Sequence, residues 1–344
     1  MSRTRALLVC PGRGSYGRDQ LRSLQGDLGP ATEVIDACDA WRRSLDRPTV
    51  RELDGAKRYS AKKHVAGEHA SLLTFAVSLA DAARIDHGQY DIVGVTGNSM
   101  GWYTALAVAG VLSLADAIEL VETMGAYQTK NVIGGQVMMP VVHADWTPAP
   151  ELRARIDAVV EDLASEGRTV EVSIELGSFV VLGADSKGIK RLLERLPKVT
   201  RGKREFPAQL PLHSAFHTSL LTETSQRAQT ELAHLDFRSP ERTLVDGQGA
   251  IHRPFSANPE ALRAYTLGHQ VVAPYDFATA FRTTLRECCP NVVIALGPGN
   301  SLGGPLAYGL VTEGWGGVRQ RADLKERAVL RSFGIAEQRA TVVA

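Results

Sequence analysis

A serine between two glycines, Gly97-Asn-Ser99-Met-Gly101, is the feature of this sequence best suited to covalent chemistry. An apolar, strand-like run from Ile92 to Val95 precedes it, and helix-forming residues follow at once. This strand–turn–helix context is typical of a nucleophile elbow, where glycines permit a tight turn and the serine hydroxyl stands clear of the sheet. The free N–H groups of the following helix could stabilise an oxyanion. We therefore predict that Ser99 is a nucleophile.

A serine nucleophile needs a general base, and the chain has nine histidines. His217 is favoured because it begins a helical run directly after the apolar segment 210–216. A histidine at a helix entrance beside the main sheet could reach an elbow serine. The distance between the two side chains cannot be read from spacing, so the residue pattern alone leaves the other histidines open.

Strands and helices alternate along most of the chain, which predicts an α/β fold with a largely parallel sheet. Sequence patterns place strands at 6–10, 92–95, 243–245 and 291–296, and helices at 31–43, 69–84, 114–128, 259–267 and 275–286, with two more from 103 and 219. Residues after about 331 carry little pattern, and we expect them to be loosely held.

The pattern changes after Gly134-Gly135. Strand, helix, strand, strand and helix follow in a short span, and a last strand is expected near 205–209. This order predicts a small ferredoxin-like subdomain, inserted at residues 132–210. A large α/β-hydrolase-like subdomain would then comprise residues 1–131 and 211–344.

The net charge is +1, with basic and acidic residues intermixed. That balance argues against nucleic-acid or membrane partners held by long-range electrostatic attraction. No apolar stretch approaches the length of a membrane span, and the apolar run near the N-terminus is too short for a signal peptide. The four cysteines have no metal-ligand spacing, so we predict no metal site. Few, unpaired cysteines are typical of proteins in a reducing compartment, so we predict a cytoplasmic location.

Several motifs, in the same order along nearly the whole chain, resemble those of malonyl-CoA:acyl carrier protein transacylases and of the acyltransferase domains of polyketide synthases. Pro11-Gly-Arg-Gly-Ser15 is similar to P-G-Q-G-S, Gly97-Asn-Ser-Met-Gly-Trp-Tyr-Thr-Ala-Leu to G-H-S-L-G-E-Y-x-A-L, Ala215-Phe-His217-Thr to A-F-H-S, Gln270-x-x-x-Pro274 to Q-x-x-x-P, and Gly297-Pro-Gly-Asn300 to a late G-P-G turn. The segment 109–117 matches the family as well.

This resemblance implies Ser99 as the nucleophile and His217 as general base and acid. It also implies an oxyanion hole from the backbone N–H groups of Met100 and Arg13, and a hydrogen bond from the Gln270 segment that orients His217. Arginine instead of the family's glutamine at position 13 is compatible with a backbone donor. The implied substrates are coenzyme A and phosphopantetheine thioesters, the implied partner is an acyl carrier protein, and no permanently bound cofactor is expected.

The sequence departs from the family's pattern around the acyl pocket. Malonyl-specific members carry an arginine–glycine pair near the C-terminal end of the helix after the elbow, where the guanidinium binds the free carboxylate of the acyl group. Here the matching pair is Met124-Gly125, and methionine offers neither charge nor donor. A buried carboxylate without a partner costs about 3–5 kcal/mol. We therefore predict a non-carboxylated acyl donor, unless an arginine from elsewhere in the chain compensates.

Three further residues are expected at the pocket. Asn98 stands where the family has histidine, Trp102 where it has glutamate, and His69 where it has a glutamine that faces the site. Together with Met124 they suggest a repurposed acyl pocket.

Other functions remain open on sequence grounds. A thioester hydrolase that clears acyl groups from carrier proteins would use the same acyl-serine, with water as the acceptor. A non-catalytic module that docks carrier proteins is less favoured because Ser99 and His217 are both present. A general esterase of the α/β-hydrolase type is also disfavoured, because it would need an acid between the serine and the histidine.

Overall fold

The computed structural model describes residues 2–130 and 132–344. Met1 and Asn131, which the predicted subdomain boundaries include, lie outside the described residues. The strands are β1 (Thr4–Cys10), β2 (Tyr90–Gly97), β3 (Gly135–Pro140), β4 (Val170–Glu175), β5 (Phe179–Ala184), β6 (Val199–Arg201), β7 (Arg204–Phe206), β8 (Ala208–Leu210), β9 (Thr243–Val245), β10 (Ile251–His252), β11 (Tyr275–Asp276), β12 (Val292–Ala295) and β13 (Leu330–Ser332).

The predicted helices lie close to their predicted positions, and the structure adds several short helices and the ten-residue α13, which was not predicted. They are α1 (Thr32–Ser44), α2 (Val50–Asp54), α3 (Ala61–His64), α4 (Gly67–Ala83), α5 (Gly101–Val108), α6 (Leu114–Lys130), α7 (Pro150–Ser165), α8 (Ser186–Arg195), α9 (Thr222–Glu231), α10 (Pro259–Ala264), α11 (Gln270–Val272), α12 (Phe277–Cys288), α13 (Gly303–Thr312), α14 (Asp323–Arg327) and α15 (Ala336–Arg339). A π-helical turn, Tyr265–His269, joins α10 to α11.

The large sheet has the strand order β10-β9-β2-β1-β12-β13. All neighbouring strands are parallel except the β9–β10 pair at one edge. The central strands β1 and β12 are almost entirely buried, as expected for apolar strands covered by helices on both faces. The predicted α/β fold with a parallel sheet is confirmed.

The smaller sheet has the order β11-β4-β5-β3-β8, in which β3, β4, β5 and β8 pair antiparallel. The helices α7 and α8 cover it, and apolar side chains between residues 137 and 206 form its own core. The β-α-β-β-α-β order is the predicted ferredoxin-like one. Its last strand is β8, which follows a hairpin of β6 and β7 and overlaps the strand predicted near 205–209.

The small sheet also includes β11, which lies outside the predicted insertion and pairs parallel with β4. The two subdomains thus share hydrogen bonds at this edge, close to the segment that contains Gln270. The predicted boundaries themselves stay a prediction.

The C-terminal segment differs from its prediction. β13 pairs with β12 at the edge of the large sheet, and Phe333 and Val342 are buried. Sequence periodicity missed this because a three-residue edge strand is too short to show a repeat. In the described ranges, no helix combines the length and apolar character that crossing a membrane requires.

Candidate active site

Ser99 occupies a sharp turn between β2 and α5. Its φ is +55°, a left-handed conformation that side chains other than glycine rarely adopt and that is typical of strained functional turns. A Cβ on Gly97 would lie 2.2 Å from the Gly101 carbonyl oxygen, and a Cβ on Gly101 would lie 2.2 Å from the Cys10 carbonyl oxygen. Both positions therefore require glycine. The turn holds Ser99 at the carboxyl ends of the parallel strands β1 and β2.

His217 is the histidine that reaches this serine. The Ser99 Oγ and the His217 Nε2 are 2.7 Å apart. The His217 side chain is fully buried, and its backbone, with φ of +62°, is held by a hydrogen bond from its N–H to the Val271 carbonyl. The structure thus brings together the two residues that the sequence analysis singled out.

The second ring nitrogen of His217 sets the direction of proton transfer. Nδ1 lies 2.5 Å from the backbone carbonyl oxygen of Gln270. A carbonyl only accepts hydrogen bonds, so Nδ1 carries the proton and Nε2 presents its lone pair to the Ser99 hydroxyl. Burial lowers the pKa of His217 to about 4, so the ring is neutral at pH 7 and able to accept a proton.

Gln270 also supports the site through its side chain. Its Oε1 accepts a hydrogen bond from the Tyr103 hydroxyl at 3.0 Å, and its Nε2 donates to the Ser99 carbonyl oxygen at 3.2 Å. One residue therefore holds the histidine through its backbone and the elbow through its amide.

The backbone N–H groups of Met100 and Arg13 are among those near Ser99 for which the described residues supply no hydrogen-bond acceptor. The loop 11–15 lies against the elbow, since a Cβ on Gly12 would be 3.6 Å from the Ser99 Cβ. The arrangement suits the predicted oxyanion hole, because free amide donors beside a nucleophile can accept developing negative charge. The role itself stays a prediction.

A cavity of about 430 Å³ adjoins Ser99. Its wall includes Asn98, Met100, Met124 and Gly125, with Met138 and Ile174 from the small subdomain. Met124 is 2% exposed and contributes apolar surface, while the Oδ1 of Asn98 is buried without a hydrogen-bond partner. In the part of the chain that the structure describes, no cluster of three acidic, cysteine or histidine side chains could hold a metal ion.

Trp102 and His69, both expected at the pocket, do not line this cavity. The Trp102 indole is fully buried on the other side of α5, where its Nε1 donates to Thr266 and its ring packs edge-on against Tyr265. His69 faces α1, and its Nδ1 lies 2.7 Å from the Arg42 guanidinium. Both side chains point away from the cavity and pack against neighbouring helical segments instead. The prediction that they line the pocket is therefore corrected.

The sequence analysis left open whether an arginine from elsewhere in the chain replaces the cation missing at Met124, and one such arginine lies at this cavity. Arg13 lines the cavity, and its guanidinium donates through Nη2 to the Leu212 carbonyl oxygen at 2.6 Å. Burial lowers the pKa of Arg13 to about 9, which still leaves it positively charged at pH 7. One signal could have revealed this group: the charge missing at Met124 reappears at position 13, where the family resemblance places a glutamine.

Two tyrosines at the site were not among the predicted site residues, although Tyr103 matches the tyrosine of the elbow motif. Tyr103 binds Gln270, as described above. The Tyr275 hydroxyl donates to the Gly97 carbonyl at 2.6 Å, and its ring centre lies 5.4 Å from that of His217. These contacts join segments that are distant in sequence, so residue spacing gives no hint of them.

Comparison with known proteins gives a consistent result. No family model matches the chain. The malonyl CoA-acyl carrier protein transacylase of Bacillus subtilis is 25% identical over 298 residues, which cover 86% of this chain and 87% of that protein. The corresponding transacylase of Mycobacterium bovis is 26% identical over 332 residues, covering 94% and 99%. The acyl-carrier-protein S-malonyltransferase structure from Burkholderia pseudomallei superposes with a TM-score of 0.74 at 22% identity over 98% of both chains, which supports the fold.

The relatives match nearly the full length of the chain, and the site has the serine elbow and histidine that the resemblance implies. The relatives give no support to a thioester hydrolase. The chain is similar to malonyl-CoA:acyl carrier protein transacylases and to polyketide synthases, and it is an acyltransferase.

Proposed function

We propose that this protein transfers an acyl group from a coenzyme A thioester to the phosphopantetheine thiol of an acyl carrier protein, through an ester on Ser99. The observation that carries the proposal is the 2.7 Å contact between Ser99 Oγ and a neutral His217 whose Nδ1–H is held by a carbonyl. The names of the relatives support the substrates and the carrier partner.

In the first half-reaction, His217 Nε2 accepts the Ser99 hydroxyl proton while Oγ attacks the thioester carbon. The carbonyl oxygen becomes an oxyanion, which the N–H groups of Met100 and Arg13 stabilise. Collapse of this intermediate breaks the carbon–sulfur bond. The departing thiolate takes the proton from His217, which leaves coenzyme A and an acyl-serine ester.

The second half-reaction reverses these roles. The thiol of the carrier protein gives its proton to His217, and the thiolate attacks the ester carbon. The Ser99 oxygen then leaves and recovers the proton from His217. No permanently bound cofactor enters either step, because His217 handles every proton.

A backbone carbonyl takes the place that an acid has in a serine–histidine–aspartate triad. The Gln270 carbonyl fixes the tautomer and stabilises the imidazolium that forms during each half-reaction. It adds no full negative charge, so burial keeps the resting histidine neutral.

The same proposal includes a cytoplasmic location, since all four cysteines are free thiols, as expected in a reducing compartment.

Intact-mass measurement of the protein after incubation with a panel of acyl-CoA donors tests this function. We expect one acyl group on the wild type and none on Ser99→Ala. Ser71→Ala is a matched control, because Ser71 also lines the cavity and its hydroxyl has no hydrogen-bond partner in the structure. This variant should still be acylated. Acylation of Ser99→Ala at the wild-type rate would contradict the proposal.

The lifetime of the acyl-enzyme tests the acceptor. We expect the ester to persist in buffer and to disappear when a holo acyl carrier protein is added, with the acyl group recovered on the carrier. An ester that disappears equally fast without the carrier would indicate hydrolysis instead.

A further inference from the structure

We propose that the Arg13 guanidinium binds a free carboxylate at the far end of the acyl group, so that this protein prefers carboxyacyl donors. The inference rests on the proposed acyl transfer and identifies the substrate class of the same site. It assigns specificity to the side chain of a residue whose backbone N–H belongs to the proposed oxyanion hole.

The first observation is that the Arg13 guanidinium has unpaired hydrogen-bond donors. Its Nη2 binds the Leu212 carbonyl, but Nη1 and Nε are buried and have no hydrogen-bond partner. Among the described residues, no carboxylate forms an ion pair with it, and burial lowers its pKa to about 9. A buried cation with unused donors is costly unless an anion binds to it.

The second observation is where the side chain goes. A Cβ on Gly67 would lie 2.9 Å from Arg13 Nη1 and 2.6 Å from the Gly125 carbonyl oxygen. The guanidinium therefore reaches the contact between α4 and α6, beside the Met124-Gly125 pair. The backbone of Arg13 lies at the elbow, so the side chain runs along the cavity from the nucleophile toward α6.

The third observation is the charge of the cavity wall. The described residues that line it include the arginines Arg13 and Arg204 but neither aspartate nor glutamate. His213, next to Arg13, is neutral because burial and then the neighbouring guanidinium lower its pKa to about 3. A carboxylate that enters this cavity meets a cation and no repelling anion.

Arg13 would supply the cation that the family resemblance places at position 124, where this chain has methionine. The cation comes from the loop after β1, and its Nη1 lies at the contact between Gly67 and Gly125, next to Met124 in the sequence. An acyl chain with an apolar end would leave Nη1 and Nε without partners. A carboxylate would instead accept hydrogen bonds from these donors and neutralise the charge of the guanidinium. Discrimination between the two should therefore be large.

The test compares malonyl-CoA with isovaleryl-CoA, in which two methyl groups replace the two carboxylate oxygens. The rate of Ser99 acylation is measured by intact mass for each donor, and the readout is the ratio of the two kcat/KM values. We expect the wild type to favour malonyl-CoA by at least about 10-fold. Arg13→Gln should lower the ratio by about 100-fold, as expected for a carboxylate left without its ion-pair partner.

Arg204→Gln is the matched control, because it removes the other arginine of the cavity wall and Arg204 is exposed. It should leave the ratio within about threefold, whatever it does to both rates. Adding Met124→Arg to Arg13→Gln should restore the malonyl preference at least tenfold, since it supplies a guanidinium from α6. Labelling of Ser99 by a fluorophosphonate verifies that each variant retains a folded site.

A wild type that prefers isovaleryl-CoA would overturn the proposal, and so would an Arg13→Gln variant that loses both activities equally while its Ser99 still reacts with the fluorophosphonate. In either case the acyl transfer of the proposed function stands. If no donor acylates Ser99, the proposed function fails and this inference fails with it.

Discussion

Ser99 and His217 are 118 residues apart in sequence, yet their side chains meet at 2.7 Å, and each residue has a left-handed backbone. Two strained residues at one contact indicate that the surrounding structure holds both in place. For Ser99, this support comes from glycines that allow two backbones to approach closely. For His217, it comes from the hydrogen bonds to Gln270 and Val271.

The close approach at the elbow makes Gly101 a sensitive position. Gly101→Ala places a Cβ 2.2 Å from the Cys10 carbonyl oxygen, so β1 and α5 must separate. We expect a loss of about 3 kcal/mol in the free energy of unfolding, measured by urea denaturation. Gly304→Ala in α13 is the control, because its Cβ meets no atom within 4 Å. That variant should be as stable as the wild type or more stable by up to about 1 kcal/mol.

The pH dependence of acylation should report the buried state of His217. Only the neutral ring accepts the serine proton, so activity is present above the pKa of His217 and lost as the pH falls through it. Because burial lowers this pKa to about 4, kcat/KM for a donor thioester should stay high down to pH 5. A circular-dichroism measurement at each pH verifies that the fold persists. A half-maximal rate near pH 6.5, the ordinary value for histidine, would show that the ring is not held in its buried neutral form.

The Gln270 side chain should affect turnover only by holding the elbow that carries Ser99 in position. Gln270→Ala keeps the backbone carbonyl that binds His217 but removes the amide that ties Tyr103 to the elbow. We expect kcat to fall about 10-fold with KM nearly unchanged, because misplacement of reacting groups slows chemistry more than binding. Tyr103→Phe removes only one of the two hydrogen bonds and should cause a smaller decrease. An equal rise in KM in both variants would point to a damaged substrate pocket instead.

The buried Arg42–Glu122 ion pair should contribute to stability and not to chemistry. Both side chains are nearly inaccessible to solvent, and the Arg42 guanidinium also donates to the Glu68 carbonyl and contacts His69. Glu122→Leu leaves a buried cation without its partner and should cost about 3–5 kcal/mol in the free energy of unfolding.

The exposed pair Arg191–Glu194 is the comparison for this prediction. Glu194→Ala should change the free energy of unfolding by less than about 1 kcal/mol, because surface ion pairs contribute little. Similar losses in the two variants would mean that burial does not strengthen the Arg42–Glu122 pair.

The local sequence was sufficient to predict the elbow and the overall fold class. Strand, turn and helix around Ser99 occupy fewer than twenty consecutive residues, and the glycines at 97 and 101 are required by contacts within the same turn and its neighbouring strand. The alternation of strands and helices likewise reflects local periodicity. The ferredoxin-like order was predictable for the same reason, although the hairpin of β6 and β7 and the two-residue strand β11 were too short to predict.

Only the tertiary structure decided which long side chains face the cavity. Trp102 and His69 turn into helix contacts, while the Arg13 guanidinium, expected to matter only through its backbone, reaches the acyl cavity. The physical reason is that backbone propensity and periodicity act over a few residues, whereas the path of a flexible side chain depends on which helices pack around it. The sequence therefore determined where Ser99 stands, and the packing of α4, α5 and α6 determined which charged side chain lies beside it in the cavity.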